Sequence, residues 1–365
     1  MPLKTLNHEH AVPRKGRGAG INPEGRFEKV VREATDDGWE VTDAHALRPI
    51  KTQVTVEHAK SIISRNDSPD IPFTQSINPY RGCEHGCIYC YARPSHAYLN
   101  LSPGVDFETR LFAKVNAAEL LRKELARPGY RCEVISLGAN TDPYQPVERE
   151  YRITRGILEV LAECGHPVGI VTKNALVERD IDILAPMARC NLVNVYVSIN
   201  NLDHDLARRL EPRCSAPARR LETVRRLSGA GIPVGVLVAP VIPFLTDHQI
   251  EPVLEAAAAA GARSAGYVLM RLPWEVKDLF RDWLQTHYPL KEDHVMSRLQ
   301  QMRDGRDNDP GLGNRMRGSG EFADLLRRRF EIACGRVGLS RHEHLRSLDV
   351  TRFRKPESGG QLALF

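Results

Sequence analysis

Phe73–Cys90 reads FTQSINPYRGCEHGCIYC. Phe73–Asn78 is read as a first strand that leads straight into a loop holding Cys83, Cys87 and Cys90 in C-x3-C-x2-C spacing. Three thiols this close, with no matching second pair nearby, indicate a metal centre with one coordination position left open. Gly82 and Gly86 allow the backbone to wrap closely around a bulky inorganic group. In strand–helix architectures functional groups gather in loops after the strands' C-terminal ends, which is where this loop falls.

Downstream, five more apolar runs repeat the rhythm: Glu133–Leu137, Val168–Thr172, Leu192–Ile199, Val234–Ala239 and Ala265–Met270. They are rich in Val and Ile and almost free of charge, as strands covered on both faces are. Helical stretches are predicted at about 152–164, 178–189, 217–229 and 247–260, the last stopping at Gly261. Asn116 resembles a helix cap before another apolar stretch. Six βα units with right-handed crossovers predict an α/β fold, a partial (β/α)6 barrel rather than a closed barrel of eight. Around it the reading places a largely irregular N-terminal extension over 1–70, the barrel over 71–272, a helical C-terminal region over 273–350 and a flexible tail over 351–365.

The chain has 365 residues, 42% hydrophobic and 27% charged, with no apolar run of membrane-spanning length, which excludes a spanning function from the reading. The basic N-terminus lacks the apolar core of a secretory signal, so a cytoplasmic location is expected, where thiols stay reduced. The other cysteines (132, 164, 190, 214 and 334) are scattered singly and read as small buried hydrophobes. A structural zinc site would need His85, His96 or a distant cysteine as fourth ligand. Residues 300–355 carry thirteen Lys and Arg against eight Asp and Glu, which accounts for the net charge of +5. That excess, with Arg327, Arg328 and Arg329 in a row, reads either as a solvated helix face or as a phosphate-facing surface.

The cysteine spacing, with aromatic Tyr89 before the third cysteine, resembles the signature of radical S-adenosylmethionine (SAM) enzymes. The resemblance implies a [4Fe–4S] cluster on Cys83, Cys87 and Cys90, S-adenosyl-L-methionine as second cofactor, a one-electron reductant of flavodoxin or ferredoxin type, and Tyr89 against the adenine. It also implies reductive cleavage of the sulfonium to a 5′-deoxyadenosyl radical. Family members usually carry a Gly-Gly-Glu-like stretch after the second strand. This chain has Thr141-Asp142-Pro143 there, and Thr141 and Asp142 are the polar substitutes, with turn chemistry as the alternative role. Lys173 after the third strand is a candidate partner for the methionyl carboxylate, and Ser198 and Asn200 after the fourth are candidates for ribose contacts.

The block N-P-Y-R-G-C-x3-C-x2-C-Y-A, the T-D-P-Y-Q-P stretch and Glu211-Pro212-Arg213 together resemble the subfamily around spore photoproduct lyase, which acts on a DNA lesion. The chain ends Gln361-Leu362-Ala363-Leu364-Phe365, which is similar to peptides that dock on the bacterial β sliding clamp through Leu and Phe anchors. DNA is thus an expected partner and a membrane is not. Two other readings stay open: the same chemistry on a small molecule or peptide, and a metal-stabilised nucleic-acid-binding module without catalysis. No residue is assigned as the hydrogen donor.

Overall fold

A computed structural model describes residues 15–28, 50–341 and 348–356. Its main sheet contains all six expected strands: β3 (Gln75–Ile77), β6 (Ile135–Leu137), β7 (Val168–Thr172), β8 (Val193–Ser198), β9 (Val234–Val241) and β10 (Ser264–Leu269). They lie side by side in that order, each pair parallel, with Ile170 opposite Val195 and Val197 opposite Val236. Helices Ile153–Glu163, Ile181–Arg189, Pro217–Gly229 and Ile250–Ala259 make the crossovers. Both faces are covered, so Ile170, Val193, Val195, Val234, Val236, Val238 and Leu269 are buried. Each such side chain contributes about 1.5–3 kcal/mol by leaving water. Among the described residues the sheet is open, ending at β2 (Ile63–Arg65), antiparallel to β3, and at β11 (Ser340–Arg341).

The stretch read as an irregular extension contributes structure of its own. β1 (Gln53–Glu57) pairs in parallel with β5 (Arg110–Lys114), which pairs antiparallel with β4 (Tyr80–Arg81). This small sheet fixes the entry to the cysteine loop, because β4 ends one residue before Gly82. Phe112 lies in β5, ahead of the helix after Asn116. The helix begins at Ala117, and the Asn116 side chain caps nothing: its amide exchanges hydrogen bonds with the backbone of Ala59, 3.0 Å each way.

Residues 15–28 are irregular but pinned. Gly18 and Ala19 donate backbone N–H bonds of 2.9 Å to the buried Glu108 carboxylate, and Arg17 donates to the Glu108 and Ile50 carbonyls. Beyond β10 lie helices Val276–His287, Glu292–Gln301 and Glu321–Val337. No helix among the described residues is long and apolar enough to cross a membrane. The basic run is mostly paired: Arg327 with Asp324, Arg329 with Glu251 and Arg336 with Glu255, while Arg328 has no carboxylate partner among the described residues. These contacts favour the solvated-face reading of that helix. Residues 361–365 lie outside the described residues.

Candidate functional site

The cysteine loop sits past the C-terminal end of β3, at the rim where the other parallel strands also end. Cys83 and Cys87 are buried and Cys90 is half-buried. Gly82 and Gly86 have φ of +74° and +68°, a region open to glycine and costly for other residues. A Cβ on Gly82 would also meet His96 and Leu111 within 2.8 Å. The buried Arg93 braces the loop from beneath, donating to the Cys87 and Gly86 carbonyls and pairing with Glu108. Gly18 lies so close above it that a Cβ there would fall 1.9 Å from the Gly86 carbonyl oxygen. The loop is therefore held from both sides before any inorganic group binds.

Neither histidine completes a zinc set. His96 Nε2 lies 2.9 Å from the Arg110 carbonyl, with its ring against Phe107. His85 sits 3.3 Å from Asp142 through Nδ1 and 3.1 Å from the Asn174 amide through Nε2. Among the described residues no three His, Cys, Asp or Glu side chains are grouped to hold one metal ion. A cubane, in which each thiolate binds a different iron, does not require its sulfurs to converge on one point. The donor set of three thiols on a glycine-hinged, buried loop fits such a cluster.

The sequence reasoning missed Cys214, which the structure brings to 3.7 Å from Cys87, sulfur to sulfur. The Cys87 thiol is pulled below its usual range chiefly by a hydrogen bond from Cys214, whereas burial pushes Cys90 up to about 12. Cys214 follows directly on Glu211-Pro212-Arg213, so its neighbourhood was visible while its destination was not.

Behind the loop lies a buried charged network. Tyr89 donates its hydroxyl to Glu211, whose other oxygen pairs with the buried Arg220. Arg220 also donates to the carbonyls of Ser198 and Ser215. Burial opposes the Glu211 charge, but Arg220 and Lys173 outweigh it and hold its pKa below the usual carboxylate range. Lys173 lies 6.0 Å from the centre of the Tyr89 ring. Burial opposes its charge too, and Glu211 with the thiols of Cys87 and Cys214 raises its pKa nonetheless. Lys173 thus remains a cation at the rim.

The remaining expected residues divide by what they already touch. Asp142 is engaged: it accepts from Thr172 Oγ1 (2.8 Å), Lys173 N (2.8 Å) and Tyr144 N (2.9 Å), besides facing His85. That pairing raises the His85 pKa to about 10 against the effect of burial. Thr141 donates its hydroxyl to the Tyr80 carbonyl at 3.1 Å. Ser198 is buried at the end of β8. Asn200, also buried, accepts from Asn201 but has no partner for its own amide nitrogen. Leaving a buried donor unpaired costs about 1–3 kcal/mol, so this group has something to gain from a ligand.

Comparison with known proteins agrees with this geometry. The Radical SAM superfamily matches residues 77–257. An uncharacterized protein of Mycobacterium tuberculosis strain H37Rv is 41% identical over 221 residues, covering 60% of this chain and 65% of that protein. One from Methanocaldococcus jannaschii is 27% identical over 199 residues, covering 54% of this chain and 71% of the relative. The chain thus spans 65% of the length of the mycobacterial relatives. Among solved structures, a cysteine-to-serine mutant of spore photoproduct lyase superposes with a TM-score of 0.57 at 17% identity, covering 87% of this chain and 88% of that one. The lyase complexed with a dinucleoside spore photoproduct gives 0.56 at 18% identity, covering 80% and 82%. At these identities the likeness to the lyase is one of fold. The open eight-stranded sheet, the three-cysteine loop on its rim and the match over residues 77–257 identify a radical SAM domain in this chain, a family that holds a [4Fe–4S] cluster and S-adenosylmethionine.

Proposed function

We propose that this chain is a radical SAM enzyme that reductively cleaves S-adenosylmethionine and acts on a base or lesion in DNA. The observation that carries the chemistry is the buried, doubly braced loop of Cys83, Cys87 and Cys90 beside an unpaired rim amide and a lysine. When bound, the cluster supplies the low-potential electron and the sulfonium supplies a carbon radical that abstracts hydrogen. The protein's part is to place and shield. Lys173 offers its ammonium to a carboxylate, and Asn200 and Ser198 offer short polar groups to a ribose. Tyr89, tied to Glu211, presents a fixed ring to an adenine. Thr141 and Asp142 act by shaping the loop that meets the methionyl end, Asp142 through its bond to the Lys173 amide.

DNA as substrate is supported by fold likeness to the lyase and by the end of the chain. Gln361, Leu362, Leu364 and Phe365 are proposed to dock on a β sliding clamp. Residues 348–356 lead to that tail along the face where the strands begin: Arg354 N bonds the Cys164 carbonyl and Asp349 N that of Asn191.

The test is anaerobic reconstitution followed by measurement of 5′-deoxyadenosine with a flavodoxin- or ferredoxin-type reductant. About four irons per chain are expected by cluster stoichiometry. Cleavage should vanish in Cys83→Ala, Cys87→Ala and Cys90→Ala, and damaged DNA should stimulate it. Stimulation by small metabolites or peptides instead would replace the DNA substrate, and stoichiometric zinc without iron would overturn the enzyme. Deleting residues 361–365 should abolish clamp binding.

A further inference from the structure

Arg26, Phe27, Tyr98 and Trp274 come from three distant segments and meet in one exposed patch. The Arg26 guanidinium carbon lies 4.7 Å from the centre of the Phe27 ring, 5.1 Å from that of Tyr98 and 5.0 Å from that of Trp274. Phe27 and Tyr98 lie 4.9 Å apart, centre to centre. Arg26 does not wander: it pairs with both oxygens of Glu275 at 3.2 Å and donates its backbone N–H to the same carboxylate. Gly25 allows the approach, since its Cβ would lie 3.1 Å from that of Ala97.

These rings are not core. Trp274 and Tyr98 are each 69% exposed and Phe27 is 47% exposed. Trp274 has φ of +52°, a left-handed conformation uncommon for a bulky residue, and holds its indole outward there. Clustered exposed aromatic surface of this kind marks an interaction site.

The patch borders the cysteine rim. Tyr98 lies in the 3-10 turn Arg93–Leu99 that follows Cys90, and Trp274 lies in the loop after β10. Arg271, three residues before Trp274, stacks 5.6 Å from the centre of the Tyr91 ring. It has no carboxylate within ion-pair distance among the described residues, and its Nε is buried without a partner. Within the patch Arg26 is neutralised by Glu275, whereas Arg271, on the same loop as Trp274, has no such carboxylate partner among the described residues. Flat rings held in place favour flat, neutral groups, and the neighbouring arginine favours an anion attached to them. Unpaired nucleobases on a phosphodiester backbone combine the two.

We propose that Phe27, Tyr98 and Trp274, ordered around Arg26, form a stacking platform for unpaired bases of single-stranded nucleic acid. This rests on the proposed action on DNA and adds a second contact region outside the pocket of the reacting base. The experiment is fluorescence anisotropy of the reconstituted full-length protein with a labelled oligothymidylate, its abasic counterpart and the matching duplex. The wild type should favour the single strand over the other two. Trp274→Ala and Tyr98→Ala should each weaken single-strand binding about tenfold or more, at the scale of one lost base stack. Trp274→Phe should restore most of it, and Leu290→Ala, an exposed residue elsewhere, should change nothing.

The proposal is overturned if the wild type binds abasic and base-bearing strands equally, if Trp274→Ala binds as the wild type does, or if that variant loses affinity for the flavodoxin- or ferredoxin-type reductant instead. Formation of 5′-deoxyadenosine without DNA should be normal in Trp274→Ala. Its absence from the wild type would defeat the enzymatic reading, whereas a normal rate with unchanged DNA binding would defeat only the platform.

Discussion

Glu211 is the residue on which the interior of the site turns. It joins Tyr89 of the cysteine loop to Arg220 of the helix Pro217–Gly229, and all three side chains are buried. Removing its charge leaves a buried guanidinium without a counter-ion, a change that typically costs about 3–5 kcal/mol. Glu211→Gln should therefore lower the urea midpoint strongly, whereas Tyr89→Phe, which keeps the ion pair, should cost only about 1 kcal/mol. Equal losses in the two variants would show that the hydroxyl, not the ion pair, is the support. Gly18 provides a second check. Gly18→Ala drives a methyl into the Gly86 carbonyl, so the N-terminal segment or the loop must move. A cost of about 1–3 kcal/mol is expected, with iron content after reconstitution falling below that of the wild type. The three-cysteine loop stands out in the sequence as a candidate site because its spacing is wholly local. Cys214 and the Glu211–Arg220 pair do not, since Cys87 and Cys214 meet across 127 residues only once the sheet has curled.

Among the elements, the parallel strands were the most legible. Burial on both faces forces near-continuous Val and Ile, and little else in a chain of this composition produces such runs. β2, β4 and β11 escaped notice because two or three residues carry no period, and their existence depends on a partner far along the chain. Asn116 was misread for a related reason: a polar residue before a helix has capping as its default, and a tertiary contact with Ala59 claimed it. The start of β7 carries a pH dependence. His166 lies 2.8 Å from the Tyr130 hydroxyl and 3.0 Å from the Pro167 carbonyl, and burial lowers its pKa from 6.5 to about 4. The unfolded chain takes up this proton near 6.5 and the folded chain does not until about 4. Stability is therefore complete above the upper value, falls as pH drops through the window, and levels off below it. The shift corresponds to at most about 3 kcal/mol. His166→Phe should be less stable than the wild type at about pH 7.5, with the gap narrowing by about pH 5 in urea titrations at equal cluster loading. A gap independent of pH would remove the assignment. His96, lowered to about 4 by its own burial, adds a parallel loss that this variant keeps.

At the scale of the molecule the question is how an open sheet keeps its mouth in shape. The loop 306–320 joins the segment after β2 to the C-terminal end of β10. Arg315 pairs with Asp70 at 2.5 Å, Gly313 N donates to the same Asp70 at 2.7 Å, and Met316 accepts from Leu269 N at 2.9 Å. Arg303, fully buried, ties the loop to the Met270 and Arg315 carbonyls. Across the rim Tyr91 donates to the Ala139 carbonyl after β6 while stacking with Arg271 after β10. The gap in the barrel is thus closed by side chains and a loop rather than by strand pairing, and loops open at lower cost than sheets. Asp70→Asn removes the charge on which two segments converge but leaves the parallel strands untouched. The expected outcome is faster proteolysis within 306–320 and faster amide exchange at Leu269, with little change in exchange at Val195 or Val236 in β8 and β9. Global stability should fall by about 1–2 kcal/mol, since the pair is only partly buried. If exchange rises uniformly over the sheet, the bridge supports the whole fold. If it rises at Leu269 alone, the mouth has a movable side.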